Sequence, residues 1–208
     1  MKTDDLIRAL AGDTVVEPRP KLRLVWLVPA LATGLVLLLL TFGPRPDLGT
    51  ALRDPVSAMR LVLSLSLGGI ALWAALRLAR PGAAVALWPL AGVAGVAVGL
   101  WVAAYVATPP EALGMAVRGK TMVGCLTTIP LLALLPTAVV LRALRQGAPT
   151  RPTLTGAVAG LAGGGFAAAI YALHCTEDSP LFYVTWYGLA ILAVATVSAI
   201  SAKWALRW

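Results

Sequence analysis

The sequence predicts an all-α integral membrane protein with six transmembrane helices and both termini in the cytoplasm. Of its 208 residues, 59% are hydrophobic and only 12% are charged, whereas an average soluble domain has about 25% charged residues. Its Leu-, Ala-, Val- and Gly-rich runs stay free of charge over roughly 20 residues, the length at which a helix crosses a hydrocarbon layer of about 30 Å. The runs lack the alternating pattern of a membrane β-barrel. These observations predict helical spans rather than soluble domains.

Six charge-free runs define the predicted spans. The second run lies between Arg60 and Arg77, whose long side chains can reach the headgroups. The third run lies between a Pro-Gly pair and a Pro-Pro pair, and Lys203 ends the sixth run. The first run lacks a signal-peptidase site, so we expect it to stay as an anchor. We predict a transmembrane domain over 23–208, with spans at about 24–42, 60–77, 83–106, 121–143, 153–173 and 180–202.

The distribution of basic residues predicts the orientation. With the amino terminus inside, 12 of the 17 Lys and Arg residues fall in cytoplasmic segments, and the opposite side holds five basic and five acidic residues. Basic residues in short loops mark the cytoplasmic side. The net charge of +8 therefore belongs to the cytoplasmic face. Anionic lipid headgroups are sufficient partners for it, so we predict a bilayer partner and no direct nucleic acid binding.

Residues 1–22 are predicted to form a cytoplasmic tail with a short amphipathic helix. Thr3 is a suitable N-cap, and Asp4 and Asp5 lie in the first turn, where the helix dipole favours negative charge. The apolar side of this helix carries the residues Leu6, Ile7 and Leu10. Two roles stay open for it: lying on the headgroups or docking a protein.

The two cysteines are predicted to lie on the outer side of the membrane. Cys125 is one turn below the outer end of the fourth span, and Cys175 follows the outer end of the fifth. Counted along both helices, their depths agree within about 5 Å, so a helix hairpin could bring them together. Three interpretations stay open: unrelated small residues, a structural disulfide or redox switch, or a soft-metal site with His174, Glu177 and Asp178 as further ligands. Such a metal ion is the sole candidate cofactor.

Small residues at every fourth position predict two faces for close helix packing. The fifth span carries Gly156, Gly160 and Gly164, and the third carries Gly95 and Gly99. Packing within one chain is the favoured interpretation, and a homodimer stays open.

The absence of several motifs from the sequence narrows the range of possible functions. No ionisable residue lies at the middle of a predicted span, which disfavours an ion-coupled transporter. The sequence has no P-loop, H-E-x-x-H or G-x-S-x-G motif, so we predict no catalytic residues and no enzyme. Two alternatives stay open: a channel or facilitator, although polar residues in the spans are few, and a small membrane thiol-redox protein that would use Cys125 and Cys175.

Three features resemble the NrsF-type membrane anti-sigma factors of proteobacteria. They are the opening sequence MKTDDLI at 1–7, the six-span plan, and the segment HCTEDSPLF at 174–182 followed by Trp186 and Tyr187. The resemblance covers the whole chain. It implies a negative regulator that holds an extracytoplasmic-function sigma factor at the bacterial inner membrane through its cytoplasmic amino terminus. It also implies that Cys125 and Cys175 face the periplasm and sense metal or oxidative stress.

The tail and the resemblance together lead to a docking hypothesis. Leu6, Ile7 and Leu10 would enter a groove of the sigma factor, and Asp4 and Asp5 would meet its basic residues. A changed state of the cysteine pair would then release the sigma factor.

Overall fold

A computed structural model describes residues 3–12 and 24–206 of the chain. These residues form helices joined by short loops, and no strand occurs among them. The helices are α1 Thr3–Gly12, α2 Leu27–Thr41, α3 Leu48–Ala51, α4 Pro55–Leu78, α5 Trp88–Ala107, α6 Pro110–Arg118, α7 Met122–Leu144, α8 Pro152–Tyr171 and α9 Pro180–Ala205. The predicted all-α class is confirmed.

The helices have the length and composition of membrane spans. Five stretches are long and apolar enough to cross a bilayer: Pro55–Leu78, Trp88–Ala107, Pro110–Leu144, Pro152–Tyr171 and Pro180–Ala205. The third contains both α6 and α7, which Gly119 separates with a φ of 58°. The first predicted span corresponds to α2, a shorter apolar helix of 15 residues. The structure is therefore compatible with a membrane protein, and the count of six spans stays a prediction.

The second predicted span begins earlier than expected, at Pro55 rather than at residue 60. Asp54 caps α4, because its carboxylate accepts a hydrogen bond from the Ser57 backbone N–H at 2.8 Å. The charge of Arg60 predicts that the span begins there, but Arg60 lies inside the helix and is buried. The third predicted span begins too early, since residues 83–87 are not helical.

Helix α8 lies at the centre of the bundle and packs against α4, α7 and α9. Of its 20 residues, 13 are buried. Gly156, Gly160 and Gly164 face α9, and a Cβ at Gly160 would lie only 2.6 Å from the Cα of Ala195. The predicted small-residue face of α8 is thus used for close packing within the chain.

The corresponding face of α5 is not used in this way. None of the residues of α5 is buried, and nothing in the described part of the chain lies within 4 Å of a Cβ built at Gly95 or Gly99. The two glycines therefore have no packing partner among the described residues, and the homodimer stays a prediction.

Five helix ends meet at one end of the bundle. The carboxyl ends of α2 and α8 lie there, together with the amino ends of α4, α7 and α9, as the hydrogen bonds between their loops show. We call this region the cysteine end, defined by residues 43–60, 117–125 and 171–187.

Candidate functional site

The loop 172–179, which joins α8 to α9, organises the cysteine end. At its start, the backbone N–H groups of His174 and Cys175 both donate to the carbonyl of Tyr171, at 3.0 and 3.1 Å. At its end, the Phe182 N–H donates to the Ser179 carbonyl at 3.0 Å. The most specific motif of the sequence therefore forms a folded loop between two helix ends.

The structure brings Cys125 and Cys175 together. Cys125 lies in the first turn of α7 and is fully buried, and Cys175 is 1% exposed. Both are free cysteines and belong to one buried cluster with Tyr171 and Tyr187. The hydroxyl of Thr121 lies 3.7 Å from the Cys175 Sγ. The two thiols are thus shielded from solvent, and a hydrogen bond between them places them next to each other.

Cys175 is the more acidic thiol of the pair. Hydrogen bonding from the Cys125 thiol lowers the pKa of Cys175 below the ordinary cysteine value. The Glu177 backbone acts in the same direction, and burial opposes it. The thiolate is the reactive form of cysteine. Cys175 is therefore placed to act as the nucleophile, with Cys125 as its partner.

Two buried arginines lie beside the thiol pair. Arg45 and Arg60 are each 3% exposed. Arg45 donates to the Asp178 carboxylate at 2.8 and 3.0 Å and to the Asp47 carboxylate at 2.7 Å through two nitrogens. Arg60 Nη1 lies 3.3 Å from the same Asp178 Oδ1. Asp178 thereby bridges two buried positive charges, which need such compensation away from water.

The ion pairs stabilise the charged forms of both partners. The hydrogen bond with Asp178, followed by that with Asp47, raises the pKa of Arg45. The hydrogen bond with Arg45 lowers the pKa of Asp178, although partial burial opposes this effect. At neutral pH the cluster is therefore a network of charged groups.

The same arginines also hold the backbone of the loop. Arg45 Nη1 donates to the Cys175 carbonyl at 3.2 Å, and Arg60 Nη1 donates to the Glu177 carbonyl at 2.8 Å. The backbone N–H of Arg45 donates to the Leu173 carbonyl at 3.0 Å. The position of Cys175 is thus determined in part by two buried charges on other segments.

The predicted metal ligands are not brought together as one centre. His174 Nδ1 lies 2.9 Å from the Gly43 carbonyl, Glu177 Oε1 accepts from the Lys120 N–H at 2.7 Å, and Asp178 binds the arginines. Within residues 3–12 and 24–206, no three His, Cys, Asp or Glu side chains are placed to hold a metal ion. The carboxylates of the loop form hydrogen bonds and ion pairs within the protein. The two thiols are therefore not joined by the other three predicted metal ligands.

Aromatic residues of the motif fix the connection between α6 and α7. Trp186 Nε1 donates to the Val117 carbonyl at 2.7 Å. Gly119 lies against the Phe182 ring, which a Cβ at this position would overlap, and its φ of 58° also favours glycine. Phe182 and Trp186 therefore hold the segment that leads into Cys125 against the start of α9.

The predicted docking residues lie on a helix, as expected. Asp4 and Asp5 lie in the first turn of α1 and are exposed, and Ile7 is 57% exposed. The side chains of Leu6 and Leu10 lie outside the described part of the chain.

Arg45 and Arg60 are the site residues that sequence reasoning missed. A basic residue at the end of an apolar run is most simply assigned to the headgroups. One signal was present: the predicted outer segments contain five basic and five acidic residues, a balance that ion pairs would produce. Burial of the two arginines depends on loops from distant parts of the chain, which the sequence pattern does not show.

Comparisons with known proteins identify the family. The family model described as the negative regulator of sigma F, NrsF, matches residues 10–208. The chain is 38% identical to the anti-sigma-F factor NrsF of Caulobacter vibrioides, with 100% of both chains covered. It is also 38% identical to the probable anti-sigma-F factor NrsF of Azospira oryzae, again with 100% of both covered. No solved structure matches. The resemblance found in the sequence is confirmed, and the chain belongs to the NrsF family of negative regulators of sigma F.

Proposed function

We propose that this protein is a membrane-bound anti-sigma factor that sequesters an extracytoplasmic-function sigma factor. It releases the sigma factor when an oxidant or a metal in the periplasm acts on Cys125 and Cys175. The observation that carries the anti-sigma role is the full-length similarity to two relatives named as anti-sigma-F factors. The adjacent buried thiols support the sensing role. The proposed role is regulation, and it requires no catalytic turnover.

The proposal places the chain in the bacterial inner membrane with six spans and both termini in the cytoplasm. Five long apolar helices and the shorter α2 support the number of spans. The excess of basic residues on the amino-terminal side supports the orientation. Residues 1–22 then form the cytoplasmic tail and 23–208 the transmembrane domain. The cysteine end faces the periplasm, an oxidising compartment in which thiol oxidation is available as a signal.

Helix α1 is the proposed docking element for the sigma factor. Amphipathic helices bind proteins by placing their apolar face in a hydrophobic groove. The helical period places Leu6 and Leu10 on the same side of α1, next to the exposed Ile7. Asp4 and Asp5 are exposed and complement basic residues with which a sigma factor would contact DNA or polymerase.

A two-electron oxidant such as hydrogen peroxide would convert the thiol pair into a disulfide. The Cys175 thiolate attacks one peroxide oxygen, the O–O bond breaks, and the product is a sulfenic acid and, after protonation, water. The Cys125 thiol then attacks the sulfenic sulfur, which forms the disulfide and releases a second water. A soft metal ion would instead bind both sulfurs and displace the remaining proton, which the Cys125 thiol carries.

A pull-down tests the docking role and the anti-sigma role together. The intact, reduced protein in detergent should capture an extracytoplasmic-function sigma factor. The double variant Leu6→Asp and Leu10→Asp should weaken capture by about 30-fold or more, because a charge in an apolar groove is strongly unfavourable.

The control for this experiment is Arg8→Gln, which changes an exposed residue of the same helix and should leave capture within about threefold of the unmodified protein. Unchanged capture by the double variant would refute the docking role. Absence of capture by the unmodified protein would refute the anti-sigma role.

A further inference from the structure

We propose that Arg45 is a positioning residue that couples the state of Cys175 to helix α2, and through α2 to the amino-terminal tail. This inference rests on the proposed function, because it takes the tail as the segment that binds the sigma factor. It adds the route by which a signal at the cysteine end reaches that tail.

The segment after α2 is bound directly to the cysteine loop. Helix α2 ends at Thr41, and the Gly43 carbonyl lies 2.9 Å from His174 Nδ1. Two residues later, the Arg45 N–H donates to the Leu173 carbonyl, and the Arg45 guanidinium binds the Cys175 carbonyl and Asp178. The end of α2 is therefore attached to the backbone on both sides of His174.

Along its length, α2 packs against the described part of the chain on one side. Its buried residues form a single stripe of Leu27, Ala30, Gly34 and Leu38. A Cβ at Gly34 would meet the ends of apolar side chains at 3.6 and 3.8 Å, and the hydroxyl of Thr33 bonds within α2 itself. An apolar contact of this kind permits shifts of 1 to 2 Å, about the size of helix shifts in known switches.

The neighbours of Cys125 are held more firmly. Helix α8 is buried over most of its length, and Gly163 of α8 lies in close contact with Thr137 of α7. A displacement at the cysteine end therefore meets less resistance from α2 than from the pair α7 and α8.

Disulfide formation would move the loop rather than the helix. A disulfide requires the two sulfurs to bond at about 2 Å, whereas both cysteines are free. Cys125 belongs to α7, and Cys175 belongs to the loop 172–179, so Cys175 and its carbonyl shift towards α7. The Arg45 guanidinium, which binds that carbonyl, must then follow or release it.

Arginine is required at position 45 because all of its side-chain nitrogens are engaged. Nε and Nη2 bind Asp47, and Nη1 and Nη2 bind Asp178, while Nη1 also binds the Cys175 carbonyl. A lysine would keep the charge but present a single nitrogen, which cannot bind both carboxylates in this geometry. Arg45→Lys should therefore preserve much of the charge balance and lose the coupling.

Hydrogen exchange of the full-length protein in nanodiscs tests the coupling without a sigma factor. The exchange of a peptide that covers residues 38–54 is compared between the reduced protein and the protein oxidised with hydrogen peroxide. In the unmodified protein, oxidation should change the exchange rates of the Gly43 and Arg45 amides by about fivefold or more. A factor of about five is the lower end of the usual range for coupling between two sites. In Arg45→Lys this change should be lost, while mass spectrometry shows that the Cys125–Cys175 disulfide still forms.

Two further variants separate coupling from folding. Arg53→Lys makes the same substitution at an exposed residue of the same region and should keep the full exchange response. His174→Ala removes the bond to the Gly43 carbonyl without touching a buried charge and should reduce the response partly. If Arg45→Lys fails to fold, His174→Ala still tests the route, because an unreduced response in this variant would overturn it.

The hydrogen-exchange and sigma-binding experiments distinguish failure of the coupling route from failure of the proposed function. An unchanged response in Arg45→Lys, or no response in the unmodified protein once the disulfide has formed, would overturn the coupling route. If the response occurs but no sigma factor binds the reduced protein, the proposed function fails and the route from Cys175 to α2 stands. If both hold, oxidation should lower sigma affinity in the unmodified protein by about 5- to 150-fold and leave it unchanged in Arg45→Lys.

Discussion

Cys175 and Cys125 have the same side chain but different surroundings. Cys125 lies in the first turn of α7, whereas Cys175 lies in a loop beside the Glu177 backbone, Thr121 and the Cys125 thiol. These groups stabilise a negative sulfur at position 175. In the proposed sensing reaction, this asymmetry makes Cys175 the residue that reacts first.

This asymmetry predicts a pH dependence of thiol reactivity. Because the pKa of Cys175 lies below the ordinary cysteine value, alkylation of Cys175 by iodoacetamide should rise with pH and reach half its maximum rate below about pH 8.5. In Cys125→Ala the main hydrogen bond to the thiolate is lost, so the midpoint should move towards the ordinary cysteine value of about 8.5. Mass spectrometry of the Cys175 peptide measures both profiles, and identical midpoints would contradict the role of Cys125.

Asp178 has a structural role that its sequence context does not indicate. It binds two arginines that are each 3% exposed. Removal of a partner from a buried ion pair leaves an uncompensated charge. The acidic residues of the loop therefore stabilise the fold of the site.

Asp178→Asn should lower the free energy of unfolding by about 2 kcal/mol, less than for a fully buried pair because the carboxylate is 41% exposed. Arg45 holds the pKa of Asp178 below its usual range. The stabilisation is therefore present above the unfolded value of about 3.9 and is lost as pH falls through the lower folded value. Thermal unfolding in detergent should show a difference from the unmodified protein at pH 7 that shrinks towards pH 3. Glu111→Gln, at an exposed position, is the control.

At the scale of helices, α8 and α5 show that similar small-residue patterns have different uses. The small-residue face of α8 meets backbone atoms of α9, whereas the corresponding face of α5 is exposed. Another glycine of α8, Gly165, lies in close contact with the backbone of α4. A Cβ at this position would lie 2.7 Å from the Gly68 nitrogen and 3.0 Å from the Ser64 carbonyl oxygen. Backbone atoms cannot move aside as the end of a flexible side chain can.

Gly165→Ala should therefore destabilise the bundle by about 1 to 3 kcal/mol, the usual cost of overpacking. Gly69→Ala is the matched control, because Gly69 follows the contact residue Gly68 on α4 and has nothing within 4 Å of its Cβ. Unfolding temperatures in the same detergent compare the two variants. Equal stability of the two would show that α4 and α8 separate without cost.

At the scale of the whole molecule, the proposed orientation has a direct test. Alkaline phosphatase inserted after Gly114, at an exposed position of α6, should be active, because this enzyme requires the oxidising periplasm. Green fluorescent protein fused to the carboxyl terminus should fluoresce, because that end is proposed to be cytoplasmic. An inactive phosphatase together with a dark carboxyl-terminal fusion would reverse the orientation.

Helix content was accessible from the sequence because it depends on local composition. The apolar runs mark the helices to within a few residues in most cases. The starts of α4 and α5 are exceptions, and the one at α4 has a physical cause. Arg60 is charged, yet it binds the Glu177 carbonyl and Asp178 inside the structure. Charge alone does not show whether a residue lies at the headgroups or in a buried ion pair.

By itself, the sequence determined the all-helical class, the small-residue faces and the motif that leads to the NrsF family. These features follow from residue type and spacing along one helix or loop. Only the tertiary structure decided that Cys125 and Cys175 are adjacent, that Asp178 binds arginines and that α5 leaves its small face free. Each of these depends on how helices are rotated about their axes and on which loops meet at a helix end. Such relations arise between distant segments, so the local pattern does not contain them.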